Sequence, residues 1–334
     1  ILEFAASRQG LSCDSDLAML IPAAPMASTF IPIMQGCDEF CTFCIIPYRR
    51  GREKSRPIEE LIHESEMLAQ RGVVEVTLLG QIVDRYGHDL PGSIDLSDLL
   101  KAINKIDGIE RIRFLTSHPR DMNDNIIHAV ASLDKVCEDI LLPFQSGNDD
   151  VLERMRRPYN MKNYLELIAK IRRDIPGVSL STDVIVGFCG DTVNILKQVK
   201  FDIVHTSVYS NRPGTIASRK LVDDVPLEIK VTRKNIIEEI QKDISSKNNA
   251  ELVGQNVEVL VERKRRDKWE GRTRTNKIVH FEDDRSDWKG KFVELEIIKS
   301  ANWSLLGVLP EKKDSTNQKD LENHTFQDID LIKL

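Results

Sequence analysis

From Phe30 to about Tyr209 short apolar runs alternate with longer stretches of helical pattern. The strand candidates are Ile31–Gln35, Val73–Leu79, Ile109–Leu115, Asp139–Pro143, Val178–Val186 and Ile203–Tyr209. Between them helices are predicted to begin near Pro57, Leu96 and Asp121, at Asp149 and Met161, and near Thr192. The first is well punctuated. Pro57 suits the first helical position, Glu59 and Glu60 suit the positive N-terminus, and Gly72 suits the stop. Repeated βα units predict a parallel sheet with helical crossovers. Periodicity alone leaves an open doubly wound sheet and a partial barrel both standing.

After Pro226 a long charged helix is expected over 226–249. The pattern then turns β-rich and is broken by Gly, Asn and Asp. Gln255–Val261, Lys268–Arg274, Lys277–Phe281, Lys291–Ile298 and Ser304–Leu309 predict a small antiparallel barrel or sandwich. Residues 1–29 are weakly patterned, with Ile21-Pro-Ala-Ala-Pro-Met-Ala-Ser as a linker. The tail 311–334 is polar, with Phe326 and Ile329-Asp-Leu-Ile as its apolar content. The expected division is therefore 1–29 as a remnant and linker, 30–249 as the core, 250–310 as the small β domain and 311–334 as a tail. The chain opens on Ile1 rather than Met, which reads as a piece of a longer protein.

Composition changes little in this picture: 41% hydrophobic and 30% charged is ordinary for a globular chain. No run is long and apolar enough to span a bilayer, no signal peptide is visible, and a cytoplasmic monomer is expected. A net charge of −6 hides a local excess. Between Arg263 and Lys277 eight basic residues (Arg263, Lys264, Arg265, Arg266, Lys268, Arg272, Arg274 and Lys277) stand against two acidic ones, with Trp269 available for stacking. On short hairpins this predicts a positive stripe for a phosphate backbone, although a charge run is more often a solvated loop. A second basic run is Arg49, Arg50, Arg52, Lys54 and Arg56.

Cysteine carries the sharper signal. Of six cysteines, Cys37, Cys41 and Cys44 fall in C-x3-C-x2-C, while Cys13, Cys137 and Cys189 are scattered. Three thiolates so close can hold three irons of a cubane cluster and leave a fourth iron open for a small chelating cofactor. Structural zinc usually takes four ligands, often from paired motifs. No second pair follows here, and the spacing of His63 and His88 does not recommend either as a fourth ligand. Clustered cysteines with an interleaved aromatic favour iron–sulfur over zinc or inert thiols.

The triplet with Phe43 before its last cysteine resembles the signature of radical S-adenosylmethionine enzymes. Further motifs resemble the methylthiotransferases of that superfamily, of the MiaB type that acts on tRNA: Cys44-Ile-Ile-Pro-Tyr-Arg-Arg-Gly-Arg-Glu-Lys-Ser-Arg-Pro57, Leu78-Leu-Gly-Gln81, Thr116-Ser-His-Pro119, Leu142-Pro-Phe-Gln-Ser-Gly-Asn148, Arg154-Met-Arg-Arg157, Asp183-Val-Ile-Val-Gly-Phe188 and Arg212-Pro-Gly-Thr215. The small β domain is similar to the family's TRAM domain. The resemblance implies a partial (βα)6 barrel with a small C-terminal antiparallel β-barrel. It implies a 4Fe–4S cluster on Cys37, Cys41 and Cys44, with S-adenosylmethionine chelating the open iron and giving a 5′-deoxyadenosyl radical on one-electron reduction. A tRNA substrate and an electron donor such as flavodoxin or ferredoxin follow as partners. The expected product is a methylthio group on the prenylated adenosine beside the anticodon. The same chemistry on a threonylcarbamoyl-adenosine or on a ribosomal-protein aspartate is the nearest alternative, and an RNA-binding protein with a structural metal is the alternative of another class.

In that frame other positions take roles. Gln81 follows a strand end, where open α/β sheets and barrels place ligands, and would meet the cofactor's amino group. Gln145 and Ser146 offer polar contacts at the end of the fourth strand. Asp183 or Ser181 would reach the ribose, and Arg157 would pair with the cofactor carboxylate. His118 is given no catalytic role. Three features depart from the family pattern. The family carries three further cysteines for an auxiliary cluster on its N-terminal side, where this chain has only Cys13, so ligands for a second 4Fe–4S cluster are absent from it. Cys189 stands where the family has a turn proline. Only Thr192–Lys200 fills the crossover to the last core strand, which is tight for a parallel connection.

Overall fold

The structure, a computed structural model, describes residues 26–188, 193–284 and 286–310. Six parallel strands appear in chain order: β1 (Ser28–Pro32), β4 (Glu75–Leu79), β5 (Arg111–Phe114), β6 (Asp139–Leu141), β7 (Ser179–Val186) and β8 (Ile203–Val208). β1, β4 and β5 form one three-stranded sheet and β6, β7 and β8 another. A parallel bridge from Ile112 to Val136 and the bond from Ser117 N–H to the Leu141 carbonyl join the two. The outer helices are α2 (Ile58–Gln70), α3 (Leu96–Ile103), α4 (Asp124–Ser132), α6 (Met161–Asp174) and α7 (Val193–Val199). One continuous apolar core lies between strands and helices and includes Ile31, Leu78, Ile112, Ile140, Leu180 and Phe201.

Local chemistry sets the boundaries. Pro57 precedes α2 rather than opening it, and Gly72 takes φ +85° just past its end, the left-handed position where glycine has no Cβ to clash. α3 begins with a capping box between Asp95 and Asp98, and Asn123, Asn148 and Asn160 cap three later helices through their side chains. The predicted strand Ile31–Gln35 divides. Ile33 N–H still bonds the Leu79 carbonyl, but β2 (Met34–Gln35) leaves the parallel sheet and pairs antiparallel with β3 (Lys54–Ser55). That two-residue ladder closes a loop over 36–53 which holds all three clustered cysteines. The tight crossover is met by the single helix α7, and β8 pairs in parallel with β7 from Ser181↔Ile203 onward. The whole of 1–25, with Cys13, the segment 189–192 with Cys189, and the tail 311–334 lie outside the described residues.

α9 (Leu227–Ala250) leads to the second unit, a closed barrel in the order β10–β11–β13–β12–β9, made of β9 (Asn256–Arg265), β10 (Lys268–Thr273), β11 (Ile278–Phe281), β12 (Phe292–Ser300) and β13 (Ser304–Val308). Its pairing is antiparallel except that β11 and β13 run parallel. Its core is Val259, Val261, Val279, Phe281, Leu295, Ile297 and Leu305, and Trp269 joins them. Trp269 is 6% exposed and its indole N–H donates to the Asp283 carbonyl at 2.9 Å. The expectation that this ring stacks on a base is therefore corrected: it is core.

Candidate active site at the carboxyl ends of the strands

Gly36 opens the cysteine loop at φ +80°, and a Cβ there would stand 1.9 Å from the Arg52 carbonyl oxygen. Only glycine lets the two limbs of the loop pass so closely. Cys37 N–H bonds the Gly51 carbonyl at 3.2 Å, and Cys44 N–H bonds the Cys41 carbonyl at 3.0 Å. Asp38 and Glu53 exchange backbone-to-carboxylate bonds across the limbs. The far side is pinned through Thr42. Its N–H bonds the Met155 carbonyl and its hydroxyl bonds the Arg154 carbonyl, both at the end of α5 (Asp149–Arg154). Its own carbonyl accepts from Ala217 N–H in α8 (Ile216–Lys220). Glu39 and Glu53 both pair with Arg85. The cysteine loop is thus tied through Thr42 to two helices, α5 and α8, and through Glu39 and Glu53 to Arg85.

Cys37 and Cys41 are buried and Cys44 is half-buried; all three are free thiols. Burial pushes the Cys37 thiol up to about 12 and also raises Cys44. Such thiols ionise when a metal replaces the proton. Among the described residues no three Cys, His, Asp or Glu side chains converge closely enough for a single ion, whereas thiolates of a cubane attach to separate irons.

Of the predicted cofactor residues Arg157 touches this loop, Phe43 belongs to it, and Gln81, Gln145, Ser146 and Asp183 lie in or after the parallel strands. Arg157 sends one guanidinium N–H to Cys41 Sγ at 3.5 Å, another to Tyr159 Oη at 2.9 Å and a third to the Pro143 carbonyl at 3.2 Å. Gln81 follows β4, and its Oε1 is buried without a partner. Gly80 beside it lies so near Met34 that a Cβ would meet its Cγ at 2.7 Å. Gln145, beyond β6, bridges to Val184 with φ +64°. Ser146 is buried and its hydroxyl accepts from Asn148 N–H at 3.3 Å. Burial raises the Asp183 carboxyl, and nearby His205 and Arg157 pull it down. Phe43 stands edge-on to Phe188, 6.4 Å between centroids, and Phe188 meets Tyr209 at 4.8 Å.

Sequence reasoning passed over part of this end. Thr116, after β5, is β-branched yet holds φ +70°, with its hydroxyl on the Gly80 carbonyl at 2.8 Å. Such strain is stored where the surrounding structure fixes it, often at functional sites. His118 is 1% exposed. Burial lowers its pKa, its Nδ1 faces Asp121 at 3.2 Å, and its Nε2 has no partner. The motif Thr116-Ser-His-Pro119 was the available signal.

The predicted RNA-binding stripe is dispersed. Arg263 pairs with Glu270, Lys264 with Asp284, Lys268 with Glu282 and Arg272 with Glu262. Arg274 and Lys277 turn to the core instead, pairing with Glu138 and Asp202. Arg265 and Arg266, at the β9–β10 turn, have no ion pair among the described residues.

Residues 31–202 match the Radical SAM superfamily and residues 250–309 the TRAM domain. The tRNA-2-methylthio-N(6)-dimethylallyladenosine synthase of Dehalococcoides mccartyi is 47% identical over 297 residues, covering 87% of this chain and 71% of that protein. The protein of the same name from Roseiflexus is 47% identical over 301 residues, 87% of this chain and 63% of that one. Among solved structures, coproporphyrinogen III oxidase from Escherichia coli, a radical SAM enzyme, aligns with a TM-score of 0.50 at 16% identity, over 70% of this chain and 57% of that chain. That likeness bears on the fold.

Proposed function

The chain belongs to the radical S-adenosylmethionine superfamily and, within it, to the tRNA-2-methylthio-N(6)-dimethylallyladenosine synthases, and from that premise we propose that it methylthiolates the prenylated adenosine beside a tRNA anticodon. The observations that carry the reading are the pinned cysteine loop, with Arg157 on Cys41, and an unpartnered buried amide, Gln81 Oε1, at the carboxyl end of β4.

The residues fit the groups this chemistry requires. Cys37, Cys41 and Cys44 would hold a 4Fe–4S cluster, which when reduced supplies the electron that cleaves the sulfonium of S-adenosylmethionine. Gln81 Oε1 accepts from an amino group. Arg157, already beside Cys41, presents a guanidinium suited to a carboxylate. Asp183 accepts from ribose hydroxyls, and Gln145 and Ser146 line the same strand ends. Phe43 with Phe188 keeps water from the cysteine loop. Sulfur insertion is assigned to no residue of this chain. The β-barrel of 250–310 joins the 30–249 core in holding RNA, with Arg265 and Arg266 foremost of the eight basic residues. A flavodoxin or ferredoxin reduces the enzyme, which works as a cytoplasmic monomer. Among the described residues no helix is long and apolar enough to cross a membrane.

Anaerobic reconstitution with iron and sulfide is expected to give a brown protein that converts S-adenosylmethionine to 5′-deoxyadenosine. A colourless protein holding one zinc would sink the enzyme reading in favour of a structural metal. Mass spectrometry of tRNA nucleosides from a deletion strain should show loss of the methylthio mark on the prenylated adenosine. An unchanged level there, with loss on a threonylcarbamoyl-adenosine, would move the substrate.

A further inference from the structure

Two aromatic rings, Phe40 and Tyr48, stand at the mouth of the cysteine loop, apart from the cofactor residues. Phe40 lies between Cys37 and Cys41, and its backbone sits at φ +48°, a conformation uncommon for a bulky side chain. Its ring meets Tyr48 edge to face, with centroids 5.8 Å apart and planes at 84°. Each ring carries an arginine: Arg52 lies 5.9 Å from the Phe40 centroid and Arg219 lies 5.8 Å from that of Tyr48. Tyr48 is 44% exposed, in the first helix after the triplet, α1 (Ile46–Arg50). Arg49, Arg50, Arg212 and Lys220 are exposed around it and have no ion pair among the described residues. Arg52, three-quarters exposed, has Asp38.

A half-buried Phe40 set edge-on to an exposed Tyr48, with exposed arginines over both rings and Arg219 also donating to the Tyr48 hydroxyl at 3.4 Å, is poorly explained as packing. Burial would favour apolar neighbours, and ion pairing would favour carboxylates. Single-stranded RNA asks for this combination, a ring face for the base and mobile cations for its phosphates. The rings are covered by long, exposed arginine side chains, which a base can displace and which then reach the backbone. Phe40 and Tyr48 are also continuous with the loop that carries the cysteines, so a nucleotide held there is delivered to the site.

We propose that Phe40 and Tyr48, flanked by Arg52 and Arg219, form a stacking platform for an unpaired nucleobase of the RNA substrate at the mouth of the site. This deepens the proposed function and rests on its reading that the chain acts on RNA. Tyr48 is here a binding residue that contacts the RNA through its face, not its hydroxyl.

The test uses the reconstituted chain and a hairpin RNA carrying 2-aminopurine in place of one unpaired loop purine at a time. Tyr48→Ala is expected to weaken hairpin binding by roughly 5- to 150-fold, the range of one lost base–aromatic stack, and to abolish the quenching of one probe position. Tyr48→Phe should keep both. Cluster content is measured in each variant, so that damage to the cysteine loop is told apart from loss of the stack. Wild-type affinity and quenching in Tyr48→Ala, with cluster content intact, would overturn the platform while leaving the enzyme reading in place. Loss of cluster with unchanged RNA affinity would also overturn it, because Tyr48 would then serve only to support the loop. If the unaltered chain binds no hairpin at all, both proposals fall.

Discussion

The two ends of the parallel barrel are built on opposite principles. At the amino ends of the strands the two buried arginines, Arg111 and Arg113, are ion-paired, and Arg111 Nε alone of their donors has no partner. Arg113, 6% exposed, bonds Glu75 at 3.0 Å and Asp139 at 3.3 Å across the barrel floor, and donates to the carbonyls of Thr273 and Arg274 in the small barrel. Arg111 donates to the Arg272 carbonyl and to Glu258, with its guanidinium 4.8 Å from the Phe292 centroid. Arg274 bonds Glu138 and the Val136 carbonyl, and Lys277 bonds Asp202. At the carboxyl ends polar groups stay unmatched: Gln81 Oε1 and His118 Nε2 are buried without partners, and Phe40, Thr116 and Gln145 hold positive φ. Unmet hydrogen bonds and local strain cost stability and persist where they serve a ligand. The ion-paired end is a joint between two barrels, and the end with unpartnered polar groups and positive φ is a site.

The largest effect that separates the two is expected at the joint. Arg113→Ala leaves Glu75 and Asp139 buried with no counter-charge and strips the Thr273 and Arg274 carbonyls of a donor. Breaking such a buried pair from one side costs about 3–5 kcal/mol. Chemical denaturation should show a loss of that order, while the reconstituted variant, measured well below its midpoint, still cleaves S-adenosylmethionine. Loss of cleavage without loss of stability would mean that the floor of the barrel belongs to the chemistry.

The joint is also where sequence was least legible. The six parallel strands and the five of the small barrel were readable because each is bounded by turn residues and filled by branched apolar side chains. The cysteine loop was readable because iron ligation needs closely spaced thiolates. Arg111 and Arg113 alternate within a short strand as though facing solvent, yet all four residues of β5 are buried. Their meaning depends on Glu75 and Asp139, which adjacent strands bring beside them, and on a second domain about 160 positions away in sequence. Arg274 and Lys277 misled for the same reason: a run of cations predicts a basic face only when no acidic surface folds over it. Phe40 and Tyr48 were hidden by the stronger pattern around them.

A second effect, smaller and opposite in sign, is expected at the open end. Asp84 is fully buried; one oxygen accepts from His118 N–H at 2.8 Å, and the Ser117 hydroxyl stands beside the carboxyl. Burial pushes its carboxyl up to about 7 from an ordinary value of 3.8. The unfolded chain therefore releases this proton at a lower pH than the folded one. Its stability contribution is fully present below about pH 4 and is lost as pH rises toward 7, at about 1.4 kcal/mol per pH unit at most. Asp84→Asn keeps the oxygen that accepts from His118 and removes the ionisation. The variant should be more stable than the parent by a few kcal/mol at pH 8, with the gap closing at pH 4. A gap that is the same at both pH values would show that Asp84 is already neutralised by a partner.

The smallest effects concern the cations themselves. Arg49→Gln with Arg50→Gln removes two unpaired charges from the mouth of the site. Arg274→Gln with Lys277→Gln removes two that are engaged at the joint. Each phosphate left without its cation lowers the slope of log affinity against log salt by about 0.7–0.9. The first double variant should reduce that slope for hairpin RNA by about 1.4–1.8 and leave the unfolding midpoint in place. The second should leave the slope in place and lower the midpoint, because Glu138 and Asp202 then lose their paired cations where the small barrel meets the core. The total charge change is the same in both, so a shared loss of salt dependence would mean that RNA responds to the summed field of the chain. Only the divergent result would show that pairing within the fold, and not the count of arginines and lysines, decides which basic residues meet the phosphate backbone.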